Sequence, residues 1–207
     1  HCKTRRQRQM CIRDSYKIAK KNTEFIKKQG NLDIEIVVIG ARRDNPNCKP
    51  ENVIIERDIF NVVNHDIDVM VELIGGVDVA KDLILKALKK KKHVVTANKA
   101  VIYNHGDEIF ACAKENGVKV LFESSVCAGT PIIKLLTEEL SANKISKISG
   151  MLNGTSNFIL SNMEDGAEFQ STLELAQKEG YAEPDPSFDI EGCLLYTSDA
   201  ADESCRV

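Results

Sequence analysis

The clearest hydrophobic pattern lies in the middle of the chain, where an apolar run at residues 69–74 ends in two glycines at 75–76. The run is typical of a strand buried on both faces of a parallel sheet. Apolar side chains then recur at helical spacing before a lysine-rich final turn, where positive charge favours the helix dipole: Val79, Leu83, Ala87 and Leu88. A second apolar run at 93–96 leads into a polar loop at 97–99. The pattern predicts a βαβ unit whose strand ends face a ligand.

Strands and helices alternate along the rest of the chain as far as residue 140. This order favours an α/β fold with a Rossmann-like, doubly wound parallel sheet. The acid-rich stretch at 181–192 holds two prolines and is incompatible with a helix interior. The predicted elements are helices at 16–28, 106–116, 131–140, 158–163 and 169–178, and strands at 34–39, 118–122 and 144–151.

Composition is that of an ordinary globular protein, with 207 residues, 43% hydrophobic, 29% charged and a formal net charge of -3. This balance gives no reason to expect a nucleic-acid or membrane partner. The chain has no apolar run of the roughly 20 residues that a membrane helix needs, and no signal-peptide pattern, so we expect a cytoplasmic protein. The seven cysteines form no C-x-x-C pair and therefore indicate no zinc site.

The two ends of the chain are related to each other through the genetic code. Residues 5–14 can be encoded by DNA whose reverse complement, read in another frame, encodes residues 194–202. Such an inverted repeat is typical of a translated sequencing adapter. We therefore interpret residues 1–14 and 193–207 as non-native. The alternative interpretation is a basic arm that binds nucleic acid and a flexible acidic tail.

Two arginines follow the predicted strand at 34–39, namely Arg42 and Arg43. In a dinucleotide-binding fold, arginine at the end of the second strand accommodates the 2′-phosphate of NADP. A solvated turn is the competing interpretation. The preceding strand and the G-x-G-x-x-G turn that would bind the pyrophosphate do not occur in this sequence.

The sequence resembles the homoserine dehydrogenase family in separated stretches that together span nearly all of residues 16–192. The matching stretches are VELIGG, HVVTANKA, FESSVCAGTPII with NGTSNFIL, and AQKEGYAEPDPSFDIEG. The resemblance implies interconversion of aspartate 4-semialdehyde and homoserine with NADP(H) or NAD(H), in threonine, isoleucine and methionine biosynthesis. It also implies a homodimer in the full-length protein, a partial NAD(P)-binding domain at 15–141, and the start of an α+β substrate and dimerisation domain at 142–192.

Residue roles are carried over from the family to the matching positions. Lys99 resembles the lysine that contacts cofactor and substrate, and a surface lysine is its alternative. The family's nicotinamide-side turn matches Ile74, Gly75 and Gly76, where a plain tight turn is the alternative. Its substrate site, including the glutamate that binds the substrate ammonium group, matches Asn153, Gly154, Thr155 and Glu183. A simple helix N-cap is the alternative for the first three residues, and a solvated acid is the alternative for Glu183. A monovalent cation such as sodium would be held by Glu123, Val126, Ala128 and Thr130, in what is otherwise an ordinary strand-to-helix loop.

The sequence also departs from the family pattern. After residues 189–192 the family has an aspartate and then a proposed proton-donor lysine, whereas this chain has Leu194 and Ser198. We therefore expect this piece by itself to be inactive. Three alternatives stay open: a related amino-acid or semialdehyde dehydrogenase, a Rossmann-like interaction module without catalysis, and a misfolded translation product.

Overall fold

The computed structural model describes residues 2–43, 48–127, 129–150, 154–179 and 181–182, with side chains from residue 12 onward. The helices are α1 (Cys2–Lys21), α2 (Thr23–Gly30), α3 (Asp78–Lys89), α4 (Lys99–Asn116), α5 (Glu123–Val126), α6 (Ile132–Lys134), α7 (Gly154–Glu164) and α8 (Phe169–Glu179). The strands are β1 (Val38–Gly40), β2 (Ile54–Glu56), β3 (Val69–Glu72), β4 (His93–Thr96) and β5 (Val120–Leu121). A 3₁₀ helix spans Ile59–Asn64, and α6 continues as a π-helical segment, Leu135–Glu139.

The chain forms two compact units, the first comprising residues 1–101 and 105–121. It contains two parallel sheets, one with the order β1-β2 and one with the order β3-β4-β5. The predicted α/β fold with parallel strands is therefore confirmed. The strands at 34–39 and 118–122 are shorter than predicted, because ladder pairing reaches only Val38–Gly40 and Val120–Leu121.

The core of this unit lies between the three-stranded sheet and its helices. Its fully buried apolar side chains include Ile84, Leu88, Val94, Val101 and Ile109. The prediction that β3 is buried on both faces is wrong. Met70 and Glu72 point inward, whereas Val69 and Val71 are 46% and 55% exposed, because no described element covers that face of the strand.

Helix α3 has the predicted amphipathic pattern with a shift of one residue at its start. Val79 is exposed, and Ala80 takes the inward position instead. The buried stripe consists of Ala80, Leu83, Ile84, Ala87 and Leu88. This spacing keeps the stripe on one helix face, toward the core.

Helix α4 begins at Lys99, seven residues before the predicted start at 106. His105 (φ -139°) kinks it, which separates an N-terminal piece from the predicted helix. The predicted C-cap is confirmed, since Gly117 has φ 67° and its N–H bonds to the carbonyls of Ala113 and Lys114. The predicted stop at Gly30 is likewise confirmed, with Asn31 in the left-handed region at φ 50°.

The second unit comprises residues 102–104 and 122–207, and the regular elements in its described part are helices. Helices α7 and α8 pack through a small apolar cluster formed by Ile159, Leu173, Ala176 and Ala182. The predicted strand at 144–151 is wrong for residues 144–150, which are exposed and irregular. A strand needs a partner for its backbone groups, and none of the described residues pairs with this segment. None of the helices in the described ranges combines the length and apolar character that a membrane crossing requires.

We predict that Gly117→Ala lowers the free energy of unfolding by about 1 kcal/mol, because a Cβ is strained in the left-handed region that this C-cap needs. A Cβ at Gly117 would have no atom within 4 Å, so a clash with neighbouring side chains does not contribute to the expected destabilisation. Urea unfolding followed by circular dichroism measures the change. Gly30→Ala is the matched control, because Gly30 ends a helix without a positive φ. Equal stabilities of the two variants would contradict the prediction.

Candidate functional site

A buried carboxylate organises the carboxyl ends of β3 and β4. Glu72 is 1% exposed. Its Oε1 accepts hydrogen bonds from the N–H groups of Ile74 (2.6 Å) and Gly75 (3.0 Å), and its Oε2 accepts one from the Thr96 hydroxyl (2.6 Å). Glu72 and Thr96 are register partners in the sheet, so their inward side chains meet directly. The carboxylate thereby joins the turn after β3 to the end of β4.

Asn98 extends this network to the start of α4. Its N–H bonds to Thr96 Oγ1 (3.1 Å), and its Nδ2 donates to the carbonyl of Gly76 (2.7 Å). Its Oδ1 accepts from the Val101 N–H (3.2 Å), which makes Asn98 the N-cap of α4. The glycine turn and the N-terminus of α4 are therefore bound to the same side chain.

The turn at residues 74–76 depends on its two glycines. Gly75 and Gly76 have φ values of 70° and 80°, a region in which side chains are strained. Lys99 lies at the first position of α4, directly after Asn98, and is half-buried. The predicted turn and the predicted lysine thus lie at one sheet edge, although Lys99 begins a helix and does not sit in the predicted loop.

The arginines after β1 lie at the carboxyl end of the other sheet. Arg42 and Arg43 are exposed, and residues 44–47 lie outside the described ranges. Arg57, which follows the neighbouring strand β2, donates from Nη1 to the carbonyl of Ala41 (3.2 Å). This bond ties the backbone before the two arginines to the end of β2, while their own guanidinium groups face solvent.

The predicted substrate residues belong to the second unit. Helix α7 begins at Gly154, four residues earlier than predicted, and Gly154 is exposed. Thr155 is buried and donates its hydroxyl to the carbonyl of Tyr181 (2.6 Å), whose ring stacks on Phe158 with centroids 4.7 Å apart. Asn153 and Glu183 lie outside the described residues. The contact nevertheless ties the start of α7 to a position two residues before Glu183 in the chain.

Among the predicted cation ligands, the Glu123 side chain has hydrogen-bond partners in the protein backbone. Glu123 accepts from the N–H of Ile133 at Oε1 (2.7 Å) and from the N–H of Lys134 at Oε2 (3.1 Å). These N–H groups lie in the first turn of a helix, where no intrahelical acceptor exists. Val126 is buried and Thr130 exposed, and Ala128 lies outside the described residues. No cluster of three or more His, Cys, Asp or Glu side chains suited to a metal occurs among the described residues.

Sequence reasoning missed three residues of the site: Glu72, Thr96 and Asn98. The sequence contained an indication that Glu72 is buried. Glu72 lies two residues after the inward Met70, and alternate residues of a strand point to the same face. An acid at an inward strand position needs buried donors, and a Thr and an Asn follow at the end of the next strand.

Comparison with known proteins identifies two matching family profiles. The homoserine dehydrogenase NAD binding domain profile matches residues 17–123, and the homoserine dehydrogenase profile matches residues 131–197. The chain is 51% identical over 180 residues to a homoserine dehydrogenase of Pseudomonas aeruginosa, covering 86% of this chain and 42% of that protein. It is 47% identical over 175 residues to one of Synechocystis, covering 82% and 39%.

Solved structures give the same result at the level of the fold. A homoserine dehydrogenase from Thiobacillus denitrificans superposes with a TM-score of 0.77 at 42% identity, covering 88% of this chain and 43% of that one. A hyperthermophilic archaeal homoserine dehydrogenase in complex with NADPH superposes with a TM-score of 0.65 at 29% identity, covering 89% and 53%. The chain thus spans about two fifths to one half of the proteins it matches.

We predict that Glu123→Ala lowers the free energy of unfolding by about 1–3 kcal/mol in buffer free of sodium, because two helix N–H groups lose their acceptors. Glu123→Gln keeps one acceptor oxygen and should therefore lower the free energy of unfolding by less than Glu123→Ala does. Thermal and urea unfolding measure both variants. Ser124→Ala, at the exposed neighbouring position, is the control. A destabilisation that appears only when sodium is present would show that the main role of Glu123 is to bind the cation and not to cap the helix.

Proposed function

This chain belongs to the homoserine dehydrogenase family, and we propose that the full-length protein interconverts L-homoserine and L-aspartate 4-semialdehyde with a nicotinamide cofactor. The single observation that carries the proposal is the hydrogen-bonded network at the ends of β3 and β4. It joins a glycine turn to the N-terminus of the helix that begins at Lys99. Dinucleotide-binding sheets hold their ligands at this edge.

The residues at this edge fit a nicotinamide cofactor. Gly75 and Gly76 carry no side chain and have positive φ, so a flat ring can approach their backbone closely. Arg42 and Arg43 are exposed at the end of β1, where guanidinium groups suit a phosphate. These arginines support a preference for NADP(H) over NAD(H).

The reaction requires both hydride transfer and control of charge on the substrate. When bound, the nicotinamide accepts or supplies the hydride. We assign Lys99 the contact with cofactor and substrate, because an ammonium group stabilises the negative charge that develops on the carbonyl oxygen during reduction. Glu183 would pair with the substrate ammonium group. Asn153, Gly154 and the first N–H groups of α7 would hold the substrate carboxylate.

Several further properties belong to the same proposal. Glu123, Val126, Ala128 and Thr130 would hold a monovalent cation such as sodium through a side chain and backbone carbonyls. The Glu123 contacts leave this possible, because each carboxylate oxygen can accept more than one bond. The full-length protein would be a cytoplasmic homodimer, with a cofactor domain at 15–141 and a substrate domain from 142.

Thr155 has a supporting part in this proposal. Its hydroxyl donates to the Tyr181 carbonyl and thereby holds the segment that leads to Glu183. We propose that Thr155 supports the substrate site in this way and does not contact the substrate directly. The buried hydroxyl would otherwise lack a partner, which costs free energy. The start of α7 and the acid-rich stretch would thereby act as one substrate-side structure.

The proposal is tested by measuring NADP⁺-dependent oxidation of L-homoserine by the full-length protein. We expect Lys99→Ala to lower kcat by about 10²–10³-fold, the range seen when one stabilising donor is removed from a charge that forms in the transition state. Lys114→Ala, an exposed lysine on the same helix, is the control. Faster oxidation of another amino alcohol would favour a related dehydrogenase. Cofactor binding without oxidation of any amino alcohol would favour the non-catalytic module.

Cofactor preference gives a separate prediction. The double substitution Arg42→Ser and Arg43→Ser should raise the KM for NADPH by about tenfold or more and leave the KM for NADH nearly unchanged, because only NADPH carries the 2′-phosphate. Steady-state kinetics with both cofactors measure this ratio. Lys49→Ser removes an exposed cation from the same unit and serves as the control. Equal changes in the KM for NADPH and the KM for NADH would show that the arginines do not bind the 2′-phosphate.

A further inference from the structure

We propose that Glu72 is a positioning residue of the cofactor site, which sets the glycine turn and Lys99 in one arrangement through Thr96 and Asn98. The inference rests on the proposed function, because it assumes that turn and lysine face the same cofactor. Glu72 does not itself need to touch cofactor or substrate. Its carboxylate lies beneath the turn and is 1% exposed.

The glycine turn needs an external constraint. Consecutive glycines have more conformational freedom than any other pair, so ordering them costs the most backbone entropy. The two carboxylate bonds from Glu72 hold the turn by the N–H groups of Ile74 and Gly75, and Asn98 holds it by the Gly76 carbonyl. The turn is therefore held at both of its ends.

The same network determines where α4 begins. Thr96 donates to Glu72 and accepts from the Asn98 N–H, and Asn98 caps the helix whose first residue is Lys99. A shift of the Glu72 carboxylate would move the hydroxyl of Thr96 and with it the cap. The position of Lys99 is in this way coupled to that of the turn.

Core packing alone does not account for a carboxylate at this position. Transferring a carboxylate from water into the interior is costly, and apolar residues of similar volume are often equally or more stabilising. What the carboxylate supplies is acceptors for three donors that come from two different segments of the site. An apolar side chain would leave the two turn N–H groups without this acceptor.

The test compares NADPH affinity in full-length variants by fluorescence titration. In Glu72→Gln the amide oxygen can still accept from the turn, but its NH₂ group faces the Thr96 hydroxyl, which must turn from donor to acceptor. We expect the Kd for NADPH to rise about tenfold, the factor that loss of one hydrogen bond to a charged group produces. Thr96→Val should have a similar or larger effect. Thr96→Ser keeps the hydroxyl and should stay within about twofold of the wild type.

Hydrogen exchange separates positioning from a general loss of structure. In Glu72→Gln, the amides of Ile74 and Gly75 should exchange faster, whereas the amide of Leu88 in the core helix α3 should keep its protection. Glu115→Gln, which removes an exposed carboxylate on α4, should change neither the Kd nor the exchange of these amides.

The inference is overturned if folded Glu72→Gln and Thr96→Val bind NADPH as tightly as the wild type. If Thr96→Val does not fold, Glu72→Gln decides by itself. Failure of the proposed function has a different signature. A wild-type protein that binds NADPH but does not oxidise homoserine would overturn the dehydrogenase proposal alone, whereas a wild type that binds neither NADPH nor NADH would overturn both.

Discussion

The structure of the candidate site depends on the requirement that a buried carboxylate be fully hydrogen-bonded. Glu72 meets this requirement with two backbone N–H groups and one hydroxyl. Because these donors lie in the turn after β3 and at the end of β4, satisfying one charge fixes two segments that are more than twenty residues apart in the chain. Asn98 extends the constraint to the N-terminus of α4. Polar networks of this kind are rigid when every member is paired.

In the second unit, polar side chains also pair with backbone groups, but each of them makes fewer hydrogen bonds than Glu72 does. Glu123 satisfies two N–H groups at the start of a short helix, and Thr155 satisfies the carbonyl of Tyr181. In both cases a side chain that the family resemblance assigns to ligand binding also bonds to the backbone. The two roles are compatible for Glu123, whose oxygens have remaining acceptor capacity. For Thr155 the single hydroxyl proton is already engaged, which favours a supporting role.

The strand and helix pattern was predictable because it arises from local periodicity. The βαβ unit at 69–96, the end of α2 at Gly30 and Asn31 and the cap at Gly117 follow from apolar spacing and left-handed backbone positions. The errors occurred where periodicity carries no information about neighbours. Val71 lies in an apolar run but is exposed, and residues 144–150 have strand-like spacing but no pairing partner among the described residues. Lys99 was predicted in a loop because the N-cap at Asn98 was not recognised.

The sequence by itself determined the parallel α/β class, the family, and the residue types at the cofactor edge. Each of these follows from the spacing of apolar residues or from short sequence motifs. It indicated Gly75, Gly76 and Lys99 as members of one site, since strand ends in a parallel sheet share an edge. Only the tertiary structure decided what holds them together. The contact between Glu72 and Thr96 depends on the register of two strands joined by a helix, and register is a property of the packed sheet. The buried charge therefore became visible as the centre of the site only after the strands were paired.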